Sequence, residues 1–256
     1  MGYRFSHVLT SFEPVSENTF TASTIAVIGA SGGLGSELVR QLQSFGARVV
    51  LAGPHTEKLE PLAHTSDRVI PFDLRDSTAG DLLVRTAVEL GGLDGVINAA
   101  GVVAFGPLAE LDDVDLEEMF LINVLGPLWM MKRVTPLLAE SKGWLCSISG
   151  VIAETPLPNM AAYAATKASI SAASRSLFRE LRRQHVFVCD ARPPHTETGL
   201  ASRPLSGTAP AFPVGLQPSR VAARILLGIE QRSPELSGTD FSRAPAGEMV
   251  LLEDSD

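Results

Sequence analysis

Apolar residues gather along this chain in short blocks, with a helical stretch between most of them. Ile25-Ala26-Val27-Ile28 is the first continuous run, closed at once by glycine-rich sequence. Leu34, Leu38, Val39, Leu42 and Phe45 then recur at helical spacing, and Gly46 marks the helix end. Further apolar runs cover Val49–Ala52, Val69–Phe72, Gly95–Ile97, Trp144–Ile148 and Val186–Ala191. Helical character lies in Ala79–Leu90, Leu116–Leu138 and Ala161–Gln184. Strands that are apolar on both faces and alternate with helices predict a parallel sheet covered on both sides, an α/β fold of three layers.

The pattern weakens at both ends. Residues 1–23 are rich in Ser, Thr and Glu without sustained periodicity, and read as a loose N-terminal extension. Residues 24–247 read as a single domain. Within it, residues 193–218 hold six prolines and no regular period, which predicts a lid loop over a substrate. A last helix is expected near Ser219–Gln231, and 248–256 form an acidic tail.

Composition narrows the chemistry. At 256 residues, with 45% hydrophobic and 20% charged positions, the chain can bury a large core without staples. Cys146 and Cys189 sit in apolar runs and read as small buried hydrophobes. A net charge of −8 argues against nucleic acid or an anionic membrane as main partner. The longest apolar stretch, Phe120–Met131, is interrupted by Asn123 and Pro127 and is too short to span a bilayer. Arg4, Glu13 and Glu17 leave no secretory core at the N-terminus, so the expected compartment is the cytoplasm. The histidines show no metal-ligand spacing, and no metal site is expected; His195 alone is a candidate for the pocket edge.

The first strand-to-helix turn carries the strongest signal. Gly29-Ala30-Ser31-Gly32-Gly33-Leu34-Gly35 combines a tight turn with a helix start, the arrangement that receives a pyrophosphate on backbone amides. Tyr163 and Lys167 are four residues apart, so both project from one helix face. A nearby ammonium favours a phenolate and predicts a lowered pKa for Tyr163, suiting it to proton transfer.

The loop spacing, Gly29-x-x-x-Gly33-x-Gly35, resembles that of the short-chain dehydrogenase/reductase family, and four further motifs in order extend the likeness across roughly 24–200. Asp73-Leu74 resembles the family's adenine-contacting pair, Asn98-Ala99-Ala100-Gly101 its Asn-Asn-Ala-Gly turn, Asn123 its helix asparagine, and Tyr163-x-x-x-Lys167 its reacting pair. The resemblance implies a single Rossmann-like, doubly wound domain and a nicotinamide cofactor that carries hydride between a carbonyl and an alcohol. It further implies that Lys167 contacts the nicotinamide ribose, that Asn123 helps hold a relay water, and that Pro193 and Thr198 line the nicotinamide.

Two departures matter. The family's serine lies 13 residues before the tyrosine, and Gly150 stands there. Either Ser149 serves after a one-residue shift, or the hydroxyl that polarises the substrate is absent. The second strand ends in Gly53-Pro54-His55 with no carboxylate to hold a ribose 2′-hydroxyl, which favours NADP(H) over NAD(H). The substrate expected is an apolar or mixed small molecule. The resemblance also implies a homodimer or homotetramer. Besides the oxidoreductase, two readings stay open: a cofactor-binding protein with little redox activity, and non-redox dehydration or isomerisation at the same site.

Overall fold

The computed structural model describes residues 19–242; the residues expected as the tail, and most of the extension, lie outside them. β1 (Thr24–Ile28), α1 (Gly33–Ser44), β2 (Arg48–Gly53), a short α2 (Thr56–Leu59), β3 (Arg68–Pro71), α3 (Ala79–Glu89) and β4 (Gly95–Asn98) build the first half. α4 (Asp113–Phe120), α5 (Gly126–Ser141), β5 (Trp144–Ile148), α6 (Ala161–Leu181) and β6 (Phe187–Ala191) follow. α7 (Pro218–Glu230), β7 (Glu235–Leu236) and α8 (Gly238–Ser242) close the described chain.

Among the described residues, seven strands form one sheet in the order β3-β2-β1-β4-β5-β6-β7, and every pairing is parallel. β1 is buried along its whole length because helices cover both faces. Ile25, Val27, Val49 and Leu51 pack with Leu38 and Leu42 of α1 and Ile225 and Ile229 of α7. The opposite face, with Ile28, Val50 and Val96, packs against Leu83 of α3 and Met130 and Val134 of α5. Cys146 and Cys189 are register partners, both buried and free. Phe20 enters the core as well, stacked on Phe45 and edge-on to Trp144.

The helix expected over Leu116–Leu138 differs from the observed one. It starts at Asp113, and a π-helical turn at Leu121–Leu125 separates α4 from α5. The helix expected to reach Gln184 tightens into a 3-10 turn at Arg182–Gln184. β7 was not foreseen, since two residues leave no periodic signal. The chain reverses direction across the sheet between β1 and β4, and their carboxyl ends open the crevice where this fold receives ligands.

Candidate active site

The phosphate-type loop follows β1. Gly29 takes φ +78°, and a Cβ there would lie 2.7 Å from Ala100 Cα. At Gly35 a Cβ would come within 2.1 Å of Gly29 O, so this glycine closes the turn rather than lining the cavity. No side chain caps α1 at Gly32, leaving the first-turn amides for a ligand. The loop opens into a cavity of about 900 Å³, lined by Gly29, Ser31, Gly32, Gly33 and Leu34 at one end. Asp73, Leu74, Ala99, Ala100, Gly101, Tyr163, Lys167, Pro193 and Thr198 also line it. This cradle fits a dinucleotide.

Thr198 sits directly on the loop, its Cα and carbonyl 2.7 Å from where a Gly33 Cβ would be. The segment expected as a lid is fastened to the opposite wall too. Leu205 N–H donates to Val103 O at 2.8 Å, and Phe105 N–H to Ser206 O at 3.0 Å. Phe212 of this segment joins Val103, Phe105, Ile152, Met160 and Tyr163 in one apolar cluster.

Asn123 and Lys167 meet at Gly101, where a Cβ would lie 3.3 Å from Asn123 Oδ1 and 3.4 Å from Lys167 Nζ. Asn123 does not line the cavity. Its Oδ1 accepts from Val102 N–H at 2.9 Å, and its Nδ2 donates to Val102 O at 2.8 Å and Thr166 Oγ1 at 3.1 Å. Its side chain thus ties the π-helical turn to the β4 loop and to α6. Asn98, also behind the wall, is a buried strand-end residue.

Lys167 Nζ lies 5.7 Å from the Tyr163 ring centroid and donates to Ile148 O at 2.9 Å. Burial pushes the ammonium down to about 8, while the charge of Asp190 opposes that shift. The expected lowering at Tyr163 does not hold: burial pushes the phenol above its ordinary value because desolvation disfavours the phenolate.

Ser149 is already engaged within the protein. Its hydroxyl donates to Asp190 Oδ1 at 2.5 Å, and the residue is 1% exposed. A hydroxyl has one proton to give, so this one is not free for a substrate carbonyl. Gly150 takes φ +84°, and a Cβ there would meet nothing nearer than Pro193 O at 3.7 Å. The geometry fits the alternative in which the polarising hydroxyl is absent.

At the far end, Asp73 forms a two-pronged pair with Arg75, whose Nη2 approaches Oδ2 at 2.6 Å. The Arg75 hydrogen bond holds the Asp73 carboxyl below its ordinary value. Motif reading passed over Arg75, although it directly follows Asp73-Leu74. His55, Lys58 and His195 line the cavity as well, and His195 stacks on Phe212 at 4.6 Å. Asp190 was missed too; its signal is a lone carboxylate inside an otherwise apolar strand.

A parallel sheet with a glycine-rich loop, a deep crevice and a tyrosine–lysine helix defines a nucleotide-dependent α/β enzyme. The chain belongs to the short-chain dehydrogenase family, whose model, described as short chain dehydrogenase, matches residues 23–206. An uncharacterized oxidoreductase of Staphylococcus aureus (strain MRSA252) is 30% identical over 220 residues, spanning 83% of this chain and 94% of the relative. Two solved structures share the fold. A Burkholderia cenocepacia short chain dehydrogenase in complex with NADP superposes with TM-score 0.76 at 22% identity, covering 85% of this chain and 88% of the other. A Brucella melitensis 3-ketoacyl-(acyl-carrier-protein) reductase complexed with NADH gives 0.77 at 19% identity, covering 86% and 96%.

Proposed function

We propose that this protein is a nicotinamide-dependent oxidoreductase that interconverts a carbonyl and an alcohol on an apolar or mixed small molecule. The observation that carries the reading is a single cavity that joins the phosphate-type loop to Tyr163 and Lys167. The cavity residues from Gly29 to Leu34, with Lys167 and Thr198, would hold a nicotinamide dinucleotide, whose ring would supply or accept the hydride. In reduction Tyr163 gives its phenolic proton to the carbonyl oxygen as the C=O π bond opens, and the Lys167 ammonium stabilises the phenolate left behind. Burial raises the phenol pKa, which keeps Tyr163 protonated but makes it a weaker acid, so donation depends on the Lys167 ammonium to stabilise the phenolate. Val103, Phe105, Ile152, Met160 and Phe212 support an apolar body for the substrate.

The reading favours NADP(H). No carboxylate ends β2, and His55 and Lys58 line the cavity beside Gly53 and Pro54, where a 2′-phosphate would meet positive or hydrogen-bonding groups. Assembly as a homodimer or homotetramer through α5 and α6 belongs to the same reading, supported by Leu125 and Leu128, which are 43% and 36% exposed.

The test is Tyr163→Phe assayed with NADPH and a carbonyl panel. Loss of a positioned proton donor lowers turnover by about 10²–10⁴-fold while NADPH affinity stays unchanged; unchanged turnover refutes the mechanism. A second reading, cofactor binding with little redox activity, is favoured by Gly150 and by the engagement of Ser149 with Asp190. Saturable NADPH binding without turnover across the panel would establish it.

A further inference from the structure

Asp190 is a buried carboxylate that the proposed chemistry leaves unused. It interrupts the apolar run of β6 and is 1% exposed. Carboxylates are almost never buried to this degree without partners, and this one has three. Ser149 Oγ donates to Oδ1 at 2.5 Å, Ser171 Oγ donates to Oδ2 at 2.7 Å, and Arg192 Nε lies 3.4 Å from Oδ2.

The places of these partners in the chain give Asp190 its reach. Ser149 follows Ile148, whose carbonyl accepts from Lys167 Nζ at 2.9 Å. Ser171 lies one helical turn beyond Lys167 on α6, on the same face. Asp190 therefore ties the turn that receives the ammonium to the helix that carries it. Arg192 does not cancel the carboxylate, because its guanidinium also pairs with Glu154 and Glu235.

We infer that Asp190 is a positioning residue of the site: through Ser149 and the Ile148 carbonyl it holds the Lys167 ammonium in place, and it serves as that ammonium's counter-charge. The inference rests on the role proposed for Lys167 above. It assigns Ser149 as an anchor of the turn and not as a donor to substrate.

The surrounding charges leave this role to Asp190. β6 and the residue after it bring Asp190 and Arg192 to this side, and α6 itself brings Tyr163. β5 carries no charged residue, and the π-helical turn contributes the uncharged Asn123. After the turn at Val151–Ala153 comes Glu154, which is paired with Arg192. α4 packs on α6, but Asp113, Asp115, Glu117 and Glu118 lie at its half-buried or exposed surface. The charge that acts on Lys167 is that of Asp190.

The test needs no turnover. Urea unfolding of the wild type, Lys167→Met, Asp190→Asn and the double variant is followed from pH 6 to 10.5. The difference between each pair with and without Lys167 isolates its titration. The expected midpoint is about 8 in the wild type. With Asp190→Asn it falls by at least about one pH unit, a tenfold loss of proton affinity. Equal midpoints in the two backgrounds, or a wild-type midpoint at the ordinary lysine value of about 10.4, overturn the inference.

Ser149→Ala and Ser171→Ala keep the carboxylate, and they carry the test if Asp190→Asn does not fold. Ser149→Ala is expected to lower the Lys167 midpoint and Ser171→Ala to leave it in place; the same response from both overturns the route through Ser149. Failure here leaves the oxidoreductase reading standing on Tyr163→Phe, so the two outcomes are separable.

Discussion

Gly150 stands where the resemblance implies a serine, and the surrounding space can take a small side chain. A Cβ there has room, with its nearest neighbours Pro193 O and Ile152 Cγ2 at 3.7 and 3.8 Å, yet the backbone stands at φ +84°. Gly150→Ser is therefore expected to lower stability by about 1–3 kcal/mol while raising carbonyl turnover by up to about 10²–10³-fold, the range of one oxyanion donor. Gly150→Ala carries the same strain without the gain, and a steady-state comparison of the two separates these effects. Lys167 gives a second prediction. Its folded value of about 8 lies below its ordinary 10.5, so between those values the unfolded chain binds more protons and stability rises with pH. Tyr163 acts oppositely, but only above its ordinary value of 10, where the folded state keeps the proton longer. Chemical unfolding should thus show stability climbing by roughly 2–3 kcal/mol from pH 8 to 10, and Lys167→Met should abolish the climb. Such effects follow from burial, which explains why Tyr163 and Lys167 were legible as a pair while the sign of the tyrosine shift was not.

At the scale of elements, the turn between β1 and α1 could be read from its glycines, but the reason for each glycine is tertiary. Gly35 is excluded from larger side chains by its own turn, whereas Gly33 is excluded by Thr198, far along the chain. Gly33→Ala is expected to push the Thr198 segment off the loop and weaken NADPH binding by at least about tenfold, since 1.4 kcal/mol of lost contact suffices. The fold itself should persist, and cofactor fluorescence titration beside a thermal melt checks both halves. The same distinction explains what pattern reading missed. Apolar runs place β1 to β6 within a residue or two; all but the partly exposed edge strand β3 are buried on both faces and advertise it. The π-helical turn leaves no such trace, because it is held by Asn123 reaching Val102 and Thr166. Ser149 was ambiguous for a related reason: its partner lies on a neighbouring strand, 41 residues away.

For the molecule as a whole, the dinucleotide proposed as ligand would meet a chain of net charge −8. Attraction would then have to come from the α1 terminus and from local groups such as Lys58, so affinity would be set at the site and not by the overall field. NADPH at 100 times its Kd is expected to add about 2.7 kcal/mol to stability, raising Tm by about 5–10 °C at this chain length. NADH at the same concentration should give a smaller shift, and an equal one would remove the preference for the phosphorylated cofactor. Among the described residues no helix is long and apolar enough to cross a membrane. Domain count was the whole-molecule feature most readable in advance, because one strand–helix alternation runs through the motifs in order and the sheet follows it.

The 193–218 segment touches both halves of the cavity, through Thr198 on the phosphate-type loop and through Leu205 and Ser206 on the β4 side. Under the proposed function, any displacement of this segment that admits a substrate would also disturb the wall beside the dinucleotide. Exchange of the two ligands would then be a single, coupled event.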